Sequence, residues 1–219
     1  MSAGSAGGRP RDPDVDRRIA QAALDVFGDT GWAGFAMETV ARRAGISKPT
    51  LYLRWSSKEA LLTEALATNL ATVRPIDTGT LHGDLIALAT QMIKLYTGPS
   101  SRAALRLSLE GPSIPGVADH DEQLRRSQAG AARDIVRRGI ARGELPAGTS
   151  ARLLLETLLG GAMTHALSTT PEKRAALHTA AAQHARRLVD FLLDAVATPA
   201  VVATADLRPV AAPLFMPPA

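Results

Sequence analysis

The sequence predicts an all-α protein, and three observations carry that expectation. Ala, Leu and Arg dominate the long stretches, and none of the 219 residues falls in a convincing apolar–polar alternation of period two. Proline cuts the chain into pieces of helix length, falling after Pro13 at Pro49, Pro75, Pro99, Pro112, Pro115, Pro146, Pro171 and Pro199. Each breaks a helix interior and biases its predecessor away from helical torsions. Within the pieces, apolar residues recur three and four apart, the spacing of one helix face. Apolar residues make up 46% of the chain, enough to bury a core. Cysteine is absent, which excludes a disulfide scaffold, a Cys-ligated metal centre and a catalytic thiol. No apolar run approaches the roughly 18 residues of a membrane span, and residues 1–20 lack the apolar stretch of a secretory signal. A soluble, cytoplasmic protein is expected.

Nine helices are expected, near residues 14–28, 37–44, 48–54, 57–73, 80–97, 100–110, 118–142, 150–168 and 172–197. Residues 1–11 read as a flexible basic arm, whose Arg9 and Arg11 either reach a minor groove or stay solvated. Residues 198–219 hold five of the 14 prolines and read as a disordered tail. In the first helix Ile19, Ala22, Ala23, Val26 and Phe27 form the apolar face, and Gly28 and Gly31 are expected to end it. The second helix turns Met37, Val40, Ala41 and Ala44 inward. Then come Gly45 for a tight reversal, Ile46 to plug the corner and Ser47 to cap a third helix, with Pro49 in its tolerant first turn. Two short helices joined by a glycine turn make a helix-turn-helix. On the third helix Leu51 and Trp55 face inward, while Lys48, Pro49, Tyr52 and Leu53 face out. Ser56-Ser57-Lys58-Glu59 reads as a capping box with Ser56 at the cap. Lys58 then stands at a helix N-terminus that suits an anion such as a DNA phosphate.

The charge is concentrated in the same place. Residues 36–58 hold Arg42, Arg43, Lys48, Arg54 and Lys58 against Glu38 alone, and this segment carries the chain's whole net charge of +4. Such a patch on a neutral body suits a polyanion. Cations and hydroxyls can meet phosphates while a few side chains reach base edges. Taken alone, the third helix reads equally as an ordinary amphipathic helix with a solvated face.

Residues 17–66 resemble the N-terminal domain of TetR/AcrR-type transcriptional regulators. The resemblance rests on Arg17 through Phe27, Gly31-Trp32, Val40-Ala41, Ala44-Gly45-Ile46-Ser47, Thr50-Leu51-Tyr52 and Lys58-Glu59-Ala60-Leu61-Leu62, in order and at the right spacing. It implies an N-terminal three-helix helix-turn-helix DNA-binding domain, over 12–60. A larger C-terminal helical ligand-binding and dimerisation domain would follow, over 61–197. The family's base-reading positions correspond to Lys48, Pro49 and Tyr52, and its phosphate grips to Thr50, Tyr52 and Lys58, with Arg42 and Arg43 on the helix that crosses the backbone. With Ser47 and Arg54 these complete the expected DNA-binding set. Two departures stand out. Ala36 occupies a place where the family usually carries a Thr or Ser cap, a loss of about 1 kcal/mol. Leu53 and Arg54 replace the usual aromatic or His residues, and Arg54 either adds a phosphate contact or points to solvent.

The resemblance further implies a homodimer on a near-palindromic double-stranded operator, with half-sites about 34–36 Å apart, and repression as the default mode. A small hydrophobic or amphipathic effector would wedge the body, pivot the fourth helix and separate the recognition helices. Its pocket is expected among the fourth to eighth helices, lined by Met92, Tyr96, Arg106, Leu109, Met163 and His165. Helix 150–168 is apolar nearly all round, and 172–197 shows a 4-3-4-3-4 spacing in Leu177, Ala181, His184, Leu188, Phe191 and Ala195. Pairing both with a partner's copies predicts a two-fold four-helix seam through Leu154, Leu158, Gly161, Ala181, Ala185, Leu188 and Leu192. An ordinary monomeric core is the alternative.

An enzyme is not expected. His82, His120, His165, His178 and His184 form no metal-binding spacing, His120-Asp121-Glu122 reads as a polar helix start, and no nucleophile or phosphate-loop motif occurs. No cofactor or membrane partner is expected. A DNA-binding helical repressor or architectural protein without an effector remains the rival reading, and a helical protein adaptor would leave the localised charge unexplained.

Overall fold

The computed structural model describes residues 12–69 and 76–197. The expected arm with Arg9 and Arg11, and the expected tail, lie outside the described residues. The elements are α1 (Pro13–Gly34), α2 (Met37–Ala44), α3 (Lys48–Tyr52), α4 (Lys58–Asn69), α5 (Leu81–Thr97), α6 (Ser101–Glu110), a 3₁₀ turn (Gly111–Ser113), α7 (Ala118–Ala141), α8 (Ala151–Ser168), α9 (Pro171–Thr179) and α10 (Ala181–Ala197). No strand occurs among the described residues, so the all-α expectation holds. No helix among them is long and apolar enough to cross a membrane.

Three boundaries differ from the sequence reading, each for a local reason. Gly28 lies inside α1, buried, where an added Cβ would stand 3.0 Å from the Ala103 nitrogen and the Arg102 Cβ. It marks the place where α6 presses on α1. Gly31, at φ 66°, makes the break in α1, after which the helix resumes to Gly34. At α4 the cap is Ser57, not Ser56, because the Ala60 N–H donates to Ser57 Oγ at 3.1 Å. The last expected helix is two, divided at Ala180 (φ −89°, ψ 12°), with Pro171 opening α9.

The apolar residues gather in two clusters. The front one joins α1, α2, α3, α4 and α6 around Ile19, Leu24, Phe27, Leu51, Leu61 and Leu62. The rear one joins α5, α7, α8, α9 and α10 around Leu81, Leu85, Leu88, Ile93 and Leu158. Met92 touches both. At the start of α5, Asp84 is fully buried. It accepts the Thr78 N–H (2.6 Å) and hydroxyl (2.8 Å) and pairs with Arg138 of α7 at 3.0 Å. Burial alone would raise this carboxyl, but the Thr78 donors and the Arg138 guanidinium together hold it below its ordinary value.

The rear helices correct the expected seam. Ala181, Ala185, Val189 and Leu192 make up the buried stripe of α10, which packs chiefly on α5. Leu154 and Leu158 are likewise buried within the chain. Five of the expected seam residues (Leu154, Leu158, Ala181, Ala185 and Leu192) are therefore core of a single chain. Periodicity identified them as buried, and α5 is what buries them. Gly161 and Leu188 are half-buried and adjoin one another, an added Cβ on Gly161 lying 3.3 Å from Leu188 Cδ1. The large apolar side chain left in solvent on α10 is Phe191, 70% exposed.

Candidate nucleic-acid interface

Local chemistry builds the α2–α3 corner. Gly45 adopts φ 68°, a left-handed turn that any side chain would strain, and its N–H bonds back to the Ala41 and Arg42 carbonyls. Ser47 follows in extended backbone and caps α3, its Oγ accepting the Thr50 N–H at 3.3 Å and sharing a hydrogen bond with Thr50 Oγ1 at 2.8 Å. Ala36, at the start of α2, supplies no side-chain cap. Val40, Ala41, Ala44 and Leu51 are buried under the corner. Trp55 is buried too, its Nε1–H donating to Glu64 of α4 at 2.8 Å. This packing leaves Lys48, Pro49, Tyr52 and Leu53 exposed on the outer side of α3, with Thr50 half-buried beside them.

Most of the basic residues here hold a partner. Arg43 Nη1 pairs with Asp29 of α1 at 2.8 Å, and Asp29 also pairs with Arg102 of α6 at 2.8 Å. The Arg43 hydrogen bond above all, opposed by partial burial, keeps the Asp29 carboxyl below its ordinary value. Lys48 Nζ lies 3.1 Å from Glu38 Oε1. Glu38 is also lowered, first by its own backbone N–H and then by Lys48. Arg42 touches the Thr39 hydroxyl at 3.5 Å. Lys58 Nζ sits 3.8 Å from the Trp32 ring centroid, a cation–π contact. Arg54 corrects both readings made of it: its guanidinium is mostly buried and pairs with Asp16 of α1, so it neither points to solvent nor stands free for a phosphate.

The front core is also tied to the body through α6. The Trp32 N–H, just past the Gly31 break, donates to Glu110 Oε2 at 2.8 Å, and Arg106 Nη1 holds Glu110 Oε1 at 2.7 Å. The Trp32 donor first, and Arg106 second, hold the Glu110 carboxyl below its ordinary value. Arg106, expected in a pocket, belongs to this clamp. Leu109, expected in the same pocket, is 73% exposed on α6. Met92, Tyr96 and Met163 border the front cluster near its junction with the rear one, and the Tyr96 hydroxyl meets Ser108 Oγ at 3.2 Å.

His165 lies elsewhere, on the outer side of α8, its ring 4.7 Å from that of His184 and tilted by 34°. Both border a cleft of about 400 Å³ with Ile93, Gly161, Ala162, Arg187, Leu188 and Phe191. Burial first, then the charges of His165 and Arg187, push the His184 imidazole below its ordinary pKa. The 4-3 spacing of the sequence marks His184 and Phe191, while no spacing marks Arg187. Among the described residues no group of three or more His, Cys, Asp or Glu is placed to hold a metal ion.

Comparison with known proteins agrees with this architecture. Residues 19–65 match the family model of bacterial regulatory proteins of the tetR family, and residues 75–183 match that of the tetracyclin repressor-like C-terminal domain. The chain is 33% identical over 144 residues to the HTH-type transcriptional regulator AqdR of Rhodococcus erythropolis, covering 65% of this chain and 70% of that protein. It is 36% identical over 104 residues to the DNA-binding transcriptional repressor TetR of Mycobacteroides abscessus, covering 47% of this chain and 51% of that one. The crystal structure of the repressor MexZ from Pseudomonas aeruginosa has the same fold, with a TM-score of 0.68 at 20% identity over 87% of this chain and 98% of MexZ. With both halves matched in order around the α2–α3 corner, the chain belongs to the TetR family of helix-turn-helix transcriptional regulators.

Proposed function

We propose that the chain is a cytoplasmic repressor that binds a near-palindromic double-stranded operator as a homodimer and is released by a small hydrophobic or amphipathic effector. One observation carries the reading: a Ser47-capped α3 shows Lys48, Pro49 and Tyr52 to solvent in the segment that carries the chain's whole positive excess. Residues 12–60 act as the headpiece and 61–197 as the body. Pro49 and Tyr52 meet base edges, and Ser47, Lys48, Thr50, Tyr52, Lys58, Arg42 and Arg43 meet phosphates. The ion pairs of Lys48 and Arg43 support this role, because exposed pairs are worth at most about 1 kcal/mol and exchange readily for a phosphate.

The second copy covers the outer side of α8 and α10, across Gly161, His165, His184, Leu188 and Phe191. The effector enters where the two clusters meet, among Met92, Tyr96 and Met163, whose flexible thioethers suit an irregular apolar ligand. The Glu110–Trp32 clamp and the α4 contact with the front core carry the resulting shift to α3. The relative named a repressor in Mycobacteroides abscessus supports the sign of regulation. The test is genome-wide occupancy of the full chain, followed by a small-molecule screen on the sites found. Discrete palindromic sites that are vacated by an effector are expected. Diffuse, site-independent occupancy overturns the operator reading, and sites that no compound vacates leave a repressor without an effector.

A further inference from the structure

The base-reading side of α3 is apolar, and its basic neighbours are engaged elsewhere. Pro49, Tyr52 and Leu53 stand at positions i, i+3 and i+4, so they share one side of the helix. All three are exposed: Tyr52 by 48% and Leu53 by 86%. Leu53 continues the helical torsions (φ −67°, ψ −20°), so the stripe runs past the end of α3 without a bend. The cations that flank the stripe in sequence, Lys48 and Arg54, are held by Glu38 and Asp16. Arg54 is mostly buried in its pair and the exposed Lys48 pair exchanges for a phosphate, so neither stands as a preformed donor to the O6 and N7 of guanine. On the major-groove edge of B-DNA the apolar group is the C5-methyl of thymine.

Resting on the reading that α3 enters the major groove, we propose that Leu53, with Pro49 and Tyr52 beside it, selects the operator by packing on thymine methyl groups. Leu53 is then a specificity residue, because its exposed side chain offers a base edge apolar contact and no hydrogen bond. Burial of Leu53 against a methyl removes apolar surface from water on both sides of the contact. That gain disappears when the methyl does, and no hydrogen bond changes.

Uracil is thymine without that methyl, so replacing thymine by uracil tests the contact alone. The full chain is titrated by fluorescence anisotropy, at fixed salt, against the operator recovered from occupancy and against copies in which each half-site thymine in turn is uracil. At one or two symmetric positions uracil is expected to weaken binding about fourfold per half-site, the effect of one buried methyl-sized group. Leu53→Ala is expected to bind the two operators equally, with the wild-type salt dependence. Equal wild-type affinity for every uracil operator overturns the proposal while the operator reading stands. Persistent methyl sensitivity in Leu53→Ala also overturns it. Unchanged DNA binding by Leu53→Ala, together with loss of a protein partner, assigns the stripe to that partner and overturns it as well. Failure to bind any double-stranded fragment sinks the operator reading itself.

Discussion

Tyr52 and Leu53 at the front and Phe191 at the rear are large apolar side chains left in solvent, and the two places differ in what stands around them. At the front, Tyr52 and Leu53 lie next to Lys48 and Arg54, each already holding a carboxylate. At the rear, Phe191 and Leu188 lie next to His165, His184 and Arg187 around an open cleft on two long helices. Exposed apolar area alone names no partner; its neighbours do. A short helix beside the exchangeable cation Lys48 suits a polyanion with a few apolar atoms on its edge. A cleft shared by two long helices suits another copy of those helices. A third environment sharpens the contrast, since Asp84 and Arg138 form a pair whose acid is wholly buried and which serves the fold.

The largest expected effect separates that structural pair from the exchangeable ones. Arg138→Met leaves the Asp84 carboxylate buried with only the Thr78 donors, and breaking such a pair costs about 3 kcal/mol. Urea unfolding should register that loss, whereas Lys48→Ala should change stability by less than about 1 kcal/mol. Similar losses in both variants would erase the distinction. Next comes the rear surface. Phe191→Asp should yield a species near 23.0 kDa in sedimentation. With only one half-site engaged at a time, operator affinity should fall on the order of 100-fold. A dimer that survives this change has its seam elsewhere.

Smaller effects probe each surface in turn. Ala36→Ser restores a hydroxyl at the uncapped start of α2 and should stabilise the chain by about 1 kcal/mol, read as a higher midpoint in thermal unfolding. A lowered midpoint would mean that the extended backbone at Ala36 does not present a cap. At the rear, His184 has its pKa lowered in the fold by burial and by His165 and Arg187. As pH falls through the ordinary histidine value of about 6.5, the unfolded chain takes up the proton before the folded one does. This group's contribution is therefore intact above that value and lost below it. Stability measured at pH 7.5 and 5.5 should drop more for the wild type than for His184→Gln. Equal drops would place the acid sensitivity at other groups.

The same contrast explains what was legible in the sequence. The α2–α3 corner could be read residue by residue because its causes are local: Gly45 for a left-handed turn, Ser47 three residues before the N–H it caps, and Leu51 and Trp55 one turn apart. The partners of Arg54 and Glu110 could not be read, because Asp16 lies 38 residues from the first and Trp32 lies 78 residues from the second. Nothing local distinguishes a paired arginine from a free one. The division at Ala180 was hidden for a different reason: alanine favours helix, and neither Gly nor Pro marks the site. The rear helices show the limit of periodicity. Periodicity located the buried residues Ala181, Ala185 and Leu192, but it does not say whether the cover comes from the same chain or from a second copy.

If the front surface meets duplex DNA through its cations, its affinity must depend on salt. The direct measurement is the affinity of the full chain for a fragment recovered from its own genomic sites, titrated across a range of salt concentrations. Affinity should fall linearly on logarithmic axes, by close to one unit of slope for each phosphate neutralised, and Lys48→Ala should make that slope shallower by about one. Binding that is insensitive to salt, or no attachment to any such fragment, would contradict it.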